Sequence, residues 1–566
     1  MFNCEPYGGP FDSGEVSAHV HRVMTEFWNG AAFGGGPMDG LLNAGEGKRH
    51  NILEAEAFTG APDHSQWSET PEMLKPVGDG AYCAGINRFI LHTNPHQPWP
   101  DHVKPGMTMG QWGTHFGRTQ TWWQPGKAWL AYLGRCQALL QWGAPAATGG
   151  FAMESATEGI QVRNLHRSAG AQHVFFLANT SQHAGTALCV FQVGGLQPEL
   201  WNPVTGEMRA LTDFQSSEQE TTLSLDFAPT QSWFVVFRRP AGKPELTKSN
   251  FPRLSPIATV TGAWQVTFDP KWGGPAETVN FQTLEDWTLR PEAGIRYYSG
   301  SALYSCTFDL LQPVTEGTFL DLGKVNHLAR VWLNHQDLGV VWCSPWGVSI
   351  PRGLLKAKAN KLEIVVTNVW VNRLIGDEQE PADCQWSPGF MGHGGFLKRF
   401  PDWFAAWSAK GEKRPSSGRY TFTTWNYFTK DSKLIPSGLL GPVRVMKEQW
   451  SQTPPLVQPR SRSRVSGQSS AAFESDLPPA QQLLPLASVE ELGSILSTGN
   501  GTNADPIHNG TTRNGSGGAE TLDDGKTFRA YGNGNSLIFH LDLTKRPQGY
   551  ELAEIRSFAG LSLIHI

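Results

Sequence analysis

Asn51-Ile52-Leu53-Glu54-Ala55-Glu56-Ala57-Phe58-Thr59-Gly60 decides how the first part of the chain folds. Ile52 to Phe58 reads as a strand in which apolar and acidic residues alternate from Leu53 to Ala57, which puts Glu54 and Glu56 on one side. Working outward, Arg22 to Phe27 and Ile86 to His92 read as further strands, with Phe2 to Glu5 as the stump of one more. Helices are expected near Ser13 to Val20, Pro37 to Gly45 and Pro71 to Cys83, and a longer amphipathic one from Lys127 to Trp142. Strand and helix alternating at this pace imply a parallel sheet with crossovers. The strands end on polar residues, Glu5, Glu26, Glu56 and His92. In a (β/α)8 TIM barrel the catalytic groups project from such C-terminal strand ends. Residues 1–148 therefore read as the C-terminal half of a (β/α)8 barrel, and the chain is expected to be truncated at its N-terminus. A small open four-stranded sheet is the alternative.

The rest of the chain reads as antiparallel β structure. Val174-Phe175-Phe176-Leu177 and Trp233-Phe234-Val235-Val236-Phe237, separated by Gly, Pro and Asn turns, place a small β domain at 149–245. Residues 250–448 repeat the style at larger scale and read as a jelly-roll, galactose-binding-like β-sandwich. A linker rich in Pro, Ser, Gln and Arg is expected at 449–485, and the start of a further β-sandwich at 486–560. Leu561 to Ile566 follows no strand logic after Gly560 and reads as a tail foreign to the protein.

With 46 Lys+Arg against 51 Asp+Glu, a net charge of -5 gives no electrostatic footprint for nucleic acid. No run of eighteen apolar residues spans a membrane, and the first residues lack the basic and apolar regions of a signal peptide. Seven cysteines without CxxC spacing argue against a zinc ribbon or a disulfide framework. The 22 tryptophans either fill β cores or face flat apolar ligands, of which sugars are the commonest.

Hydrolysis of a glycosidic bond needs one acid to protonate the leaving oxygen and one base to activate water or attack carbon. Glu5, Glu26 and Glu56 are the candidates, three carboxylates at strand ends of one sheet. His92 and His96 close the fourth strand beside Trp99, without zinc-ligand spacing. The loop from Pro105 to Trp123 concentrates Trp112, His115, Arg118, Trp122 and Trp123 with little aliphatic packing material, so it reads as a sugar-binding wall. Trp332, Trp342, Trp346 and Trp370 read as core, because three of them fall in or beside apolar strand runs. Asn368, Asn372, Arg373 and Asp377 form either a structural network or a group reaching back to the cleft.

Several motifs in one order, Glu5-Pro6-Tyr7-Gly8, Glu26-Phe27-Trp28, Glu56-Ala57-Phe58-Thr59, Gly85 to His92, Pro105-Gly106-Met107, Thr121-Trp122-Trp123 and Asn368 to Asp377, resemble glycoside hydrolase family 106, the inverting α-L-rhamnosidases. The resemblance covers about residues 1 to 450. It implies a (β/α)8 catalytic barrel with appended β-sandwiches, exo-action on terminal α-L-rhamnose, inversion through two glutamates, calcium near the site and a periplasmic or extracellular location. Carried over, Glu5 is expected as one of the catalytic pair, with Glu26 and Glu56 as the other or as substrate and calcium contacts. A non-catalytic carbohydrate-binding protein and a glycosidase for another sugar are the competing readings.

Overall fold

The computed structural model describes residues 3–5, 12–30, 51–62, 64–146, 150–242, 247–311, 317–389 and 392–453, and strands at 495–499, 518–521, 527–532, 535–540 and 564–565. Strands β1 (Asn3–Cys4), β2 (Arg22–Asn29), β3 (Leu53–Gly60) and β4 (Arg88–Leu91) form a sheet in that order, each pair parallel. Helices α1 (Ser13–His19), α2 (Pro71–Cys83) and α3 (Lys127–Gln141) connect or follow them. Thr70 caps α2 and Pro71 opens it, a combination that starts a helix without wasting an amide donor. The helix expected at Pro37 to Gly45 lies outside the described residues.

Alternation sorts the sheet into two faces. Along β2, Val23, Thr25 and Phe27 are buried, while Arg22, Met24, Glu26 and Trp28 are half-buried on the other side. Phe27 meets Phe58 and Phe89 edge-on at 5.0 and 5.1 Å, and Leu74, Ala81 and Tyr82 of α2 join the same core. Phe58 has φ +63°, and the β2–β3 register shifts there, so Ala57 and Phe58 are both wholly buried. Such a φ is strained for a bulky residue. The bulge turns Thr59 back to the face of Glu56. Gly78 of α2 lets the helix lie against the Phe58 ring, which a Cβ there would meet at 3.0 Å.

Among the described residues this sheet is open. Ile564–His565 adds a fifth strand antiparallel to β4, where a foreign tail is expected from the sequence. The remainder is mostly β. Gln172–Asn179 and Ser232–Pro240 run antiparallel in a six-stranded sheet. Phe176 and Phe234 face the α2 and α3 core, while Phe175 and Val235 face a second, four-stranded sheet. Burial on both faces explains why these strands are continuously apolar rather than alternating. Farther on, Ser301–Phe308 and Asn360–Thr367 in one sheet share a core with Thr318–Asp321 and Arg444–Gln449 in another. Gln452–Thr453, inside the expected linker, pairs with Thr247–Lys248, and residues 454–494 lie outside the described residues. Strands at 495–499, 518–521, 527–532 and 535–540 make a separate antiparallel sheet.

A buried charge joins the first region to the second. Lys75 Nζ donates to Asp79 Oδ2 at 2.6 Å, the Thr230 carbonyl at 2.7 Å and Ser232 Oγ at 2.9 Å. Tyr132 donates to Asp79 and lies 3.0 Å from Ser232 Oγ. Removing one partner of such a pair strands the other. Asp79→Ala is expected to cost about 3–5 kcal/mol of stability, with a smaller loss for Lys75→Met combined with Asp79→Leu, both measured by urea denaturation.

Candidate active site

The face of the sheet away from the helices is acidic. At its lower level Glu54, fully buried, accepts from Arg22 at 2.9 Å and Arg88 at 3.3 Å, so the two guanidiniums share one carboxylate. One alternation higher, Glu26 stands in register with Glu56 on the neighbouring strand. Burial raises the pKa of both carboxyls, and the charge of Glu56 raises Glu26 further. Opposing this, a hydrogen bond with Trp28 favours ionised Glu26, and Thr59 donates to Glu56 at 2.8 Å. Two interacting carboxyls of this kind titrate as a pair and hold a proton at higher pH than isolated glutamates. Glu5, half-buried, directly follows β1 on the far side of β2.

His92 ends β4, its Nδ1 3.8 Å from Glu56 Oε1. That contact is longer than a hydrogen bond. Burial lowers the His92 pKa to about 4, so the ring is neutral above that pH and the contact is not an ion pair. His115 stacks on Trp67 with ring centres 4.4 Å apart and is held at about 3 by burial and by His92. Trp112 meets Trp28 edge-on at 5.7 Å, which brings an aromatic ring over the end of β2. The structure therefore gathers Glu26, Glu56, His92, Trp112 and His115, with Glu5 one strand away.

The other expected wall residues are placed elsewhere. Trp122 is 0 % exposed in the core and donates its indole N–H to the Glu69 carbonyl at 2.8 Å, so its faces are not open to a sugar. Trp123 packs partly buried against the same core. Arg118 is exposed and clamps the preceding loop, donating to Asp101 and to the carbonyls of Gln97 and Trp99. His96 is exposed. Asn368, Asn372, Arg373 and Asp377 are buried: Asn368 donates to Tyr298 and Ser437, and Asp377 pairs with Arg373 and accepts from Tyr420 and Thr421. Trp342 and Trp370 are core, while Trp332 and Trp346 are partly exposed. Trp370 donates to the Thr119 carbonyl at 2.8 Å, which ties this segment to the loop after β4.

Sequence reasoning missed Glu69 and Gln111. Asn29 Nδ2, Trp67 Nε1, Glu69 Oε2, both Gln111 amide atoms and His115 Nδ1 are buried without a hydrogen-bond partner. They lie at the strand ends and in the loops just beyond, and polyhydroxylated ligands or ordered waters would satisfy them. Ser68-Glu69-Thr70-Pro71 looks like an ordinary helix start, and nothing local signals that Glu69 turns inward.

Glu26 and Glu56 thus stand on a parallel sheet beside aromatic rings and neutral histidines. The family model for α-L-rhamnosidases, glycoside hydrolase family 106, matches residues 16–156 and 150–216. The fold is similar to that of a rhamnosidase from Novosphingobium sp. PP1Y, with a TM-score of 0.64 and 23% identity over 77% of this chain and 52% of that one. This chain thus spans about half the length of that rhamnosidase. It is also 22% identical to a protein of Formosa agariphila described as a putative β-glucuronidase, over 78% of this chain and 67% of that one.

Burial raises the Glu69 pKa from 4.5 to about 7, against weaker lowering by Ser65 and Thr114. As pH climbs from 4.5 to 7 the unfolded state has already lost the proton that the folded state keeps, so ionisation progressively destabilises the fold. Glu69→Gln is expected to raise the melting temperature at pH 8 and leave it near the parent value at pH 4. Melting curves across that range check it.

Proposed function

We propose that the chain's site removes terminal α-L-rhamnose from polysaccharides or glycoconjugates by hydrolysis, with inversion at the anomeric carbon and strand-end glutamates as acid and base. The register of the sheet carries this reading. Glu26 and Glu56 are side by side on β2 and β3, and Glu5 follows β1 on the other side of β2. Adjacent strands are about 4.8 Å apart, so Glu26 and Glu56 leave little room for a water, whereas Glu5, which the β1–β2 register sets level with Met24, lies one strand and two residues from Glu26, roughly 8 Å between backbones. Inverting sites separate their carboxyls by roughly 6.5–9.5 Å. In this scheme the Glu26/Glu56 pair delivers its proton to the leaving oxygen as the glycosidic bond breaks. Glu5 takes a proton from the water that bonds to the anomeric carbon from the opposite side.

A neutral sugar suits the site. Arg22 and Arg88 are engaged by Glu54, and Arg118 by Asp101, while Trp28 and Trp112 offer aromatic surface to the apolar face of a deoxysugar. We read β1 to β4 as half of a (β/α)8 barrel, supported by helices packed on one face and carboxylates on the other. We read 250–448 as a galactose-binding-like sandwich, supported by its two sheets on one core. Calcium takes six to eight oxygen ligands. Among the described residues no three His, Cys, Asp or Glu side chains group to hold a metal. Calcium near the site and a periplasmic or extracellular location belong to the same proposal and rest on the family.

Release of 4-nitrophenol from its α-L-rhamnoside tests the reading. Glu5→Gln and Glu56→Gln are each expected to lower kcat/KM by about 100-fold or more at unchanged melting temperature. Retained binding of a rhamnose oligosaccharide with no release from the folded protein would instead favour a binding module. The charge of Glu56 raises the pKa of Glu26, so Glu26→Gln removes the carboxyl that holds the proton and the alkaline limb of the kcat/KM profile is expected to move to lower pH. An unmoved limb would dissociate Glu26 from the proton donor.

A further inference from the structure

A cleft of about 750 Å³ separates the second and third regions, far in sequence from the strand ends. Its size falls within the roughly 300–1,000 Å³ of ligand sites. Trp233, Phe251 and Phe319 line it, the Trp233 and Phe251 rings 5.8 Å apart, and it adjoins a smaller chamber of about 390 Å³ that shares Arg352, Glu448 and Trp450. Lys248, whose strand pairs with Gln452, lines the smaller chamber.

The charge is uneven along this cleft. In the smaller chamber Lys248, Arg352 and Lys447 face one carboxylate, Glu448. Lys248 Nζ lies 3.4 Å from the centre of the Trp450 ring, and Arg209 reaches the Trp450 and Phe251 rings at 5.6 and 5.2 Å. Burial, then Arg209 and Arg352, lower the Lys248 pKa, although Glu448 opposes them, which is the signature of cations crowded around one point. Aromatic surfaces at one end and a cation excess at the other match a saccharide that carries carboxylates. Asn202, Asp226 and Gln231 in the wider part supply the polar groups that hydroxyls need.

We propose that this cleft is a second glycan-binding site, separate from the strand-end carboxylates, and that it holds an acidic saccharide with a uronate carboxylate against Lys248 and Arg352. The site goes beyond the hydrolytic reading and stands without it. Calorimetric titration of the full chain with trigalacturonate, and with maltotriose as the neutral control, tests it. Trigalacturonate is expected to bind, more weakly as salt is raised, with maltotriose at least roughly tenfold weaker. Lys248 and Arg352 are exposed, so Lys248→Ala and Arg352→Ala are compatible with the fold; each is expected to weaken trigalacturonate by roughly tenfold. Glu56→Gln should leave this binding unchanged, whatever it does to hydrolysis. Equal affinity for the neutral trimer, indifference to both cation variants, loss of binding in Glu56→Gln, or no binding at millimolar trigalacturonate would each overturn the proposal.

Discussion

The parallel pairing of β2 with β3, which sets Glu26 beside Glu56, is the constraint on which the rest depends. Side chains alternate across a strand, so a slip of β2 by one residue would drive Glu26 into the helix-side core, away from Glu56, and expel Phe27. The aromatic cluster of Phe27, Phe58 and Phe89 therefore holds the acidic face in place although it never touches a ligand. The bulge at Phe58 fits the same scheme, since it buries a second consecutive side chain and returns Thr59 to donate to Glu56. A strained residue sits two positions from a candidate catalytic group, where strain is commonly stored.

Other contacts fix what surrounds that face. Lys75 and Asp79 fasten α2 to the second β region, and Trp370 and Thr121 fasten the loop after β4 to the third. The regions beyond residue 150 thus help define the shape of the site. They also enclose a second cleft with a basic end, while on the first face Arg22 and Arg88 are both held by Glu54. The two surfaces suit different chemical features of one heterogeneous glycan.

Strand and helix positions in the first region were legible because period-two alternation and helix-start residues act locally; that Glu54 and Glu56 share one face of β3 was legible for the same reason. Direction was not legible in the loop from 105 to 123. Its composition is equally compatible with a sugar wall and with an inward tryptophan, and only packing against α3 decides that Trp122 is core. Arg118 misled for a similar reason, because its partners are backbone carbonyls that any sequence provides. Glu69 was invisible beside a helix start, and the i,i+4 spacing of Lys75 and Asp79 carries no sign that the second region buries the pair. The double-faced burial of Val174 to Leu177 was written in its unbroken apolar run, yet what covers each face is set by residues far away.

The central claim is that Glu5 works across β2 from a proton-sharing Glu26/Glu56 pair. Proton NMR of the first sugar released from an α-L-rhamnoside, recorded before mutarotation, reads the carboxyl spacing through the stereochemical outcome. The account predicts that β-L-rhamnose appears first, the inverted product of a site with room for water. Initial release of α-L-rhamnose would contradict it, because retention requires carboxyls only about 5–5.5 Å apart and would make the adjacent Glu26 and Glu56 the catalytic pair.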